Sequence, residues 1–126
     1  MNAATPAHRA HIAYLDDDSD YAALLRYSLQ RLGHHVDTFE LTEQALEALA
    51  ARDYDAFITD YNMPLVSGIT AIARARRARP RLPCALISNH IADLDHLTAI
   101  EGVMVRRKPQ SQAEFAALAG ELLPAA

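Results

Sequence analysis

Carboxylates, a hydroxyl and an ammonium recur at matching points of this chain. Three aspartates stand in a row at Asp16-Asp17-Asp18, another at Asp60, a hydroxyl at Ser88 and a lysine at Lys108. Each follows a short apolar run: Ile12-Ala13-Tyr14-Leu15, Ala56-Phe57-Ile58, Cys84-Ala85-Leu86-Ile87 and Val103-Met104-Val105. Such runs read as buried strands. If the strands are parallel, their carboxyl ends share one edge, and open α/β sheets bind ligands there. That edge then collects Asp16, Asp17, Asp60, Ser88 and Lys108, and three carboxylates so close repel one another and cannot all ionise comfortably unaided. A hard dication relieves them. Magnesium prefers oxygen ligands and leaves positions for water and phosphate. Lys108 is a compact cation suited to a phosphate oxygen, and Ser88 offers a donor to another. Asp60 then reads as a nucleophile toward phosphorus. Taken singly, each residue is an ordinary turn or strand-end residue; it is their joint placement that points to chemistry.

The elements that must hold these residues alternate. Asp18 or Ser19 caps a helix bearing Leu24, Leu25, Leu29 and Leu32, which Gly33 closes at its C′ position. Val36 to Phe39 reads as a weak strand, and Thr42 as the cap of a second helix with Ala45, Leu46 and Leu49. Pro64 and Gly68 force a loop after Asp60. A helix from about Ser67 to Ala78 turns Ile69, Ile72 and Ala73 inward, and a weaker one carries Leu94, Leu97 and Ile100 up to Gly102. The last helix, about Ser111 to Leu123, buries Phe115, Leu118 and Leu122. Five strand–helix alternations predict an α/β fold: a five-stranded parallel sheet with right-handed crossovers and helices on both faces, in three α/β/α layers.

The remaining composition sets bounds. With 126 residues and about half of them apolar, the chain suits one domain. Residues 1–10 read as a disordered leader and 11–124 as the domain. A net charge of −4 argues against non-specific nucleic-acid binding. The arginines Arg74, Arg76, Arg77 and Arg79 read as cations favoured at a helix C-terminus rather than as a nucleic-acid face. The single cysteine, Cys84, reads as a small core residue and suits a reducing, cytoplasmic compartment. No apolar run is long enough to span a bilayer. His8 and His11 could share a helix face and bind metal, but a frayed terminus is the better reading; His34 and His35 are adjacent and receive no role.

The residues Leu15-Asp16-Asp17-Asp18, Asp60-Tyr61-Asn62-Met63-Pro64 with Gly68, Ser88 and Lys108-Pro109 together resemble the receiver domain of bacterial two-component response regulators. The resemblance runs from about Ile12 to Leu123. It implies a single-domain, CheY-like, (βα)5 flavodoxin-like fold. It implies Asp60 as phospho-acceptor, taking phosphate from a histidine kinase or phosphotransfer protein, or from a small phosphodonor. It implies Mg2+ held by Asp16, Asp17, Asp60 and the backbone carbonyl of Asn62, with Ser88 as switch hydroxyl and Lys108 as phosphate-binding lysine. It also implies a cis Lys108–Pro109 bond. The expected role is signalling through a downstream protein target as a monomer or weak dimer, with no direct nucleic-acid or membrane contact. The expected chemistry is self-catalysed phosphorylation and dephosphorylation only. Val105 stands where the family often has an aromatic, and the Ser88–Lys108 segment is short.

Rival readings remain. A haloacid-dehalogenase-type magnesium phosphohydrolase would use Asp16 and Asp18 as its D-x-D pair, but the chain is short for it. A calcium loop on Asp16, Asp18 and Asp20 fails because Tyr21 and Tyr27 stand where glycine and glutamate are needed. A receiver fold that binds partners without phosphorylation is the third.

Overall fold

The structure, a computed structural model, describes residues 9–90 and 102–123. Five strands form one sheet: β1 (His11–Leu15), β2 (His35–Phe39), β3 (Ala56–Asp60), β4 (Cys84–Ser88) and β5 (Val103–Arg107). The described helices are α1 (Ser19–Gln30), α2 (Thr42–Ala51), α3 (Gly68–Ala78) and α4 (Gln112–Leu122). The strand order is β2-β1-β3-β4-β5, and every pairing is parallel. The chain first adds β2 on one side of β1 and then β3 on the other. The resulting reversal opens a crevice at the carboxyl ends of β1 and β3.

Strand alternation divides the core in two. Ile12, Tyr14, Ile58 and Ile87 face α1 and α4, meeting Leu25, Leu29, Phe115 and Leu118. Ala13, Leu15, Phe57 and Leu86 face the other way, onto Leu49 of α2 and Ile72 of α3. β3 and β4 are buried along their whole length, as an apolar run covered on both faces must be. Cys84 is a free, buried thiol in the second cluster, as its apolar surroundings predict.

Several local expectations change. Leu24 is 44% exposed while its neighbour Leu25 is fully buried. Successive helical residues point about 100° apart, so only one of the two faces the sheet. The same rotation exposes Ala73 and buries Ala71 and Ala75. Asp18 is the N-cap of α1, accepting from the amides of Asp20 and Tyr21. Gly33, at φ 97°, lies two residues past the Arg31 C-cap rather than one. Thr42 does not cap α2: Leu41 takes the cap position without a side-chain bond, and Thr42 is the first, buried, helical residue. β2 begins one residue earlier than expected, at His35. His11 opens β1 and shares no helix face with any residue. The Lys108–Pro109 bond is trans, since no cis peptide occurs among the described residues. Trans is the preferred form even before proline, by about 0.5–1 kcal/mol. The helix expected around Leu94, Leu97 and Ile100 lies outside the described residues, as does the leader through residue 8. Ala10, by contrast, is buried in the core beside Ile12.

Three of the four arginines in and just after α3 have local partners. Arg74 forms a two-pronged pair with Glu43 at 2.7 and 3.1 Å. Arg76 donates to the Gly102 carbonyl, and Arg79 to the carbonyls of Leu49 and Arg52.

Candidate functional site

The site sits where β1, β3, β4 and β5 end. Asp16 is the first residue beyond β1 and is fully buried. Its amide donates to the Phe39 carbonyl at 3.0 Å, which fixes the turn. One carboxylate oxygen accepts from the Asp18 amide at 2.9 Å. The other accepts from the Tyr14 hydroxyl and, at 3.0 Å, from the Lys108 ammonium. Asp17 points outward and is exposed.

Asp60 closes β3 and is 7% exposed. The loop behind it is tightly wound. The Tyr61 amide donates to the Ile87 carbonyl, and the Gly68 amide returns to the Tyr61 carbonyl at 3.1 Å. Between them Val66 donates to the Pro64 carbonyl at 2.7 Å, and Leu65 sits at φ 69°. That is a γ-turn of the rarer, left-handed kind, which stores strain in a non-glycine residue. Gly68 is required for another reason. A Cβ there would lie 2.5 Å from both the Asp60 carbonyl oxygen and Leu86 Cδ1. Only a glycine lets α3 start this close to the end of β3.

Lys108 follows β5 and is 6% exposed. Its amide donates to the Ser88 carbonyl at 2.9 Å, which carries the β4–β5 pairing to the site. Its ammonium lies 3.6 Å from Asp60 Oδ2 as well as 3.0 Å from Asp16 Oδ2. It also stands 4.6 Å above the Tyr21 ring, a favourable place for a cation. Ser88 is fully buried, and its hydroxyl oxygen accepts from the His90 amide at 3.1 Å.

The electrostatics follow from this crowding. Burial raises the Asp60 carboxyl to a pKa of about 6. The Lys108 charge opposes the rise, Asp16 adds to it, the Asn62 amide opposes it, and Asp17 adds a little more. One buried cation therefore does not neutralise the cluster. Donor oxygens of Asp16, Asp17 and Asp60 all lie within 4.8 Å of one another. An all-oxygen set with surplus negative charge and one exposed member suits a hard dication that keeps several waters.

All five side chains singled out from sequence thus converge on one edge. Asn62 comes with them, its amide on the Asp60 carboxylate. Tyr14 and Tyr21 join the site as well, although the sequence marks Tyr14 only as part of an apolar run and Tyr21 only as a mismatch to a calcium loop. Tyr14 bonds Asp16, and burial with the Asp16 charge pushes its hydroxyl well above the ordinary range. Burial likewise raises Tyr21, whose hydroxyl donates to the Pro109 carbonyl at 2.8 Å. The signal for Tyr14 was its spacing: residues i and i+2 of an extended segment share a side.

Comparison with known proteins bears on the family and the fold. Residues 12–117 match the response regulator receiver domain. The chain is 32% identical over 91 residues to the transcriptional regulatory protein TcrA of Mycobacterium tuberculosis (strain ATCC 25618 / H37Rv), covering 72% of this chain and 36% of that protein. It is 32% identical over 87 residues to the DNA-binding transcriptional regulator NtrC of Escherichia coli (strain K12), covering 69% of this chain and 18% of that one. The chain thus spans only a minor part of the curated relatives it matches. Among solved structures, Thermotoga maritima TrrA, in complex with Mg2+ and BeF, superposes with a TM-score of 0.78 at 27% identity, covering 90% of this chain and 99% of that one. Vibrio cholerae chemotaxis protein CheY4 gives 0.81 at 19% identity, covering 92% and 100%.

Proposed function

The chain belongs to the response regulator receiver family, and from that premise we propose that it signals by carrying a phosphoryl group on Asp60. Receiver domains are in general signal transducers that bind Mg2+ at an acidic pocket and work with histidine kinases and downstream effectors. The observation that carries the proposal is the nearly buried Asp60 carboxylate beside both the Lys108 ammonium and the Asp16–Asp17 pair.

The donor is a phosphohistidine of a histidine kinase or phosphotransfer protein, or a small acyl phosphate. An Asp60 carboxylate oxygen attacks phosphorus in line. The bond from phosphorus to the donor breaks, the new P–O bond forms, and the donor leaves with its electron pair. Asp60 must be ionised to attack. Its partly raised pKa still leaves it mostly ionised at neutral pH. Lys108 is placed to meet a phosphoryl oxygen, exchanging part of its contact with Asp16 for it. Ser88 can give its hydroxyl to another. Asp16, Asp17, Asp60 and the Asn62 carbonyl would hold Mg2+, which when bound offsets the negative charge of carboxylates and phosphoryl group. Asp16 serves mainly through Lys108 and Tyr14; Asp17 is the open ligand.

Output goes to a downstream protein rather than to nucleic acid, a reading supported by the acidic net charge and by the local partners of Arg74, Arg76 and Arg79. We assign the receiver to residues 11–124, acting as a monomer or weak dimer in the cytoplasm; among the described residues no helix is long and apolar enough to cross a membrane. The phosphohydrolase alternative requires Asp16 as nucleophile. That residue is fully buried with both oxygens bonded, which disfavours attack.

The test is labelling with Mg2+ and a small phosphodonor. One phosphoryl group, labile to acid and base, should appear and should be absent from Asp60→Asn. Labelling of that variant at the wild-type level would refute the assignment. Unlabelled wild type that still binds its partner would instead favour a receiver fold working without phosphorylation.

A further inference from the structure

A second constellation lies at the opposite, amino-terminal edge of the sheet, roughly 16 Å from Asp16 along five residues of strand. His11 opens β1, His35 opens β2, and the two are direct partners in the parallel register. Asp37 follows two residues along β2, on the same face as His35. His11 Nε2 lies 2.8 Å from Asp37 Oδ2, and His35 Nε2 lies 3.1 Å from Asp37 Oδ1. One donor atom from each of the three lies within 4.8 Å of the others. The imidazole rings stand 4.7 Å apart at 67°, so they meet edge to face and do not stack.

The surroundings hold this arrangement in place. Tyr54 donates its hydroxyl to Asp37 Oδ2 at 2.7 Å and packs its ring 4.3 Å from that of His11. Asp55 accepts the His11 amide at 2.7 Å. Ligating carboxylates are themselves hydrogen-bonded, as Asp37 is to Tyr54, while Asp55 fixes the start of the strand that carries His11. Arg52 lies 3.6 Å from Asp37 Oδ2 and 5.7 Å from the Tyr54 ring and works against a cation, but its side chain is half exposed just past α2, where such pairs are weak.

We propose that His11, His35 and Asp37 form a site for a divalent transition-metal ion of the zinc class, with water completing the shell. Two imidazoles and one carboxylate select such an ion over magnesium or calcium. Bonds of about 2.0–2.1 Å in a tetrahedral shell separate donor atoms by about 3.3 Å, so the contacts of 2.8 and 3.1 Å, which reach different oxygens of Asp37, must open slightly, and wider donor separations, all within 4.8 Å, must close. The ion would take the place of the two imidazole–carboxylate hydrogen bonds, and would tie edge strand β2 to β1. The site is independent of the phosphoryl chemistry at Asp60.

The test uses the tag-free chain with excess Mg2+ to fill the carboxylate site. Titration with zinc, followed calorimetrically, and with cobalt, followed by visible absorption, should show one saturable equivalent and the bands of a four- or five-coordinate ion. His35→Asn and His11→Asn should each weaken binding at least tenfold, Tyr54→Phe should weaken it less, and Asp17→Asn should leave it unchanged. The His35 side chain is largely exposed, so His35→Asn keeps the test valid even if His11→Asn fails to fold. Absence of saturable zinc binding, or binding that His35→Asn leaves at full strength, overturns the proposal and reduces the cluster to a pair of imidazole–carboxylate hydrogen bonds.

Discussion

Asp60 and Asp37 stand at opposite ends of the same sheet and are pushed in opposite directions. Burial raises both carboxyls. At Asp60 it prevails, because the nearest cation is shared with Asp16 and the neighbouring Asp17 adds like charge. At Asp37 it loses to hydrogen bonds from Tyr54 and His11 and to the charges of His11 and His35, and the carboxyl falls below its usual range. One edge therefore stores unrelieved negative charge, which a dication or a rearranged Lys108 can relieve. The other is nearly self-satisfied. A phosphoryl switch needs the first condition: a ligand shifts a conformation only through its differential contacts with two states.

The sharpest way to break the contrast is to remove the cation on each side. Lys108→Ala leaves Asp16 and Asp60 buried without it. Losing one partner of a buried pair costs roughly 3–5 kcal/mol, and that loss should appear in urea unfolding under chelator at pH 7.5. Added Mg2+ should recover part of it. Arg52→Ala, at the exposed pair with Asp37, should cost less than about 1 kcal/mol. Equal losses would mean that the Lys108 cluster is no more desolvated than a surface pair.

Next in size is Gly68→Ala. The added methyl meets backbone and a packed leucine, so α3 or β3 must shift, at about 1–3 kcal/mol. Phosphoryl labelling should fall with stability. An unchanged rate would show that the start of α3 does not set the position of Asp60.

The two edges also differ in how legible they were. The apolar runs that end in Asp16, Asp60, Ser88 and Lys108 announce strands, and parallel pairing brings their ends together whatever the detailed register. The His11–His35 contact depends on that register: the residues are far apart in sequence, and a one-residue slip would separate them. Adjacent His34 and His35 gave no hint, because the partner of His35 is on another strand. The choice between Leu24 and Leu25 turns on helix rotation that two neighbouring leucines do not reveal. Thr42 resembles a cap by type, yet the chain enters α2 one residue earlier and buries it. Tyr14 looked like core because most of it is; only its hydroxyl belongs to the site.

Asp60→Asn should stabilise the metal-free protein. A carboxyl whose folded pKa is raised to about 6 favours folding while protonated, and that contribution is lost as pH rises through about 6. Above that pH the wild type carries the full penalty. Discounted for relaxation and water access, it is on the order of 1–2 kcal/mol. The advantage of Asp60→Asn should be large at pH 7.5 under chelator and small at pH 4.5. With Mg2+ present, phosphorylation of the wild type should persist below about pH 6, because a bound dication favours the ionised Asp60 carboxylate. A stability advantage independent of pH would mean that the substitution acts by packing rather than by charge.

The smallest effect, with the opposite sign, is expected at Asp37. Its folded pKa is lowered, so ionised Asp37 favours folding above the unfolded value of about 3.9, and the contribution disappears as pH falls through the folded value. Asp37→Asn under chelator should therefore destabilise at neutral pH and approach the wild type in acid. The group keeps some solvent contact, so the loss should stay below about 1 kcal/mol. Parallel urea titrations of Asp60→Asn and Asp37→Asn across pH 4–8 put the comparison to its most direct use. The two differences from wild type should have opposite signs at pH 7.5; that of Asp60→Asn shrinks between about pH 6 and 4, and that of Asp37→Asn only below about pH 4. Curves that move together would show that net charge, and not the local environment of each carboxylate, governs the pH response.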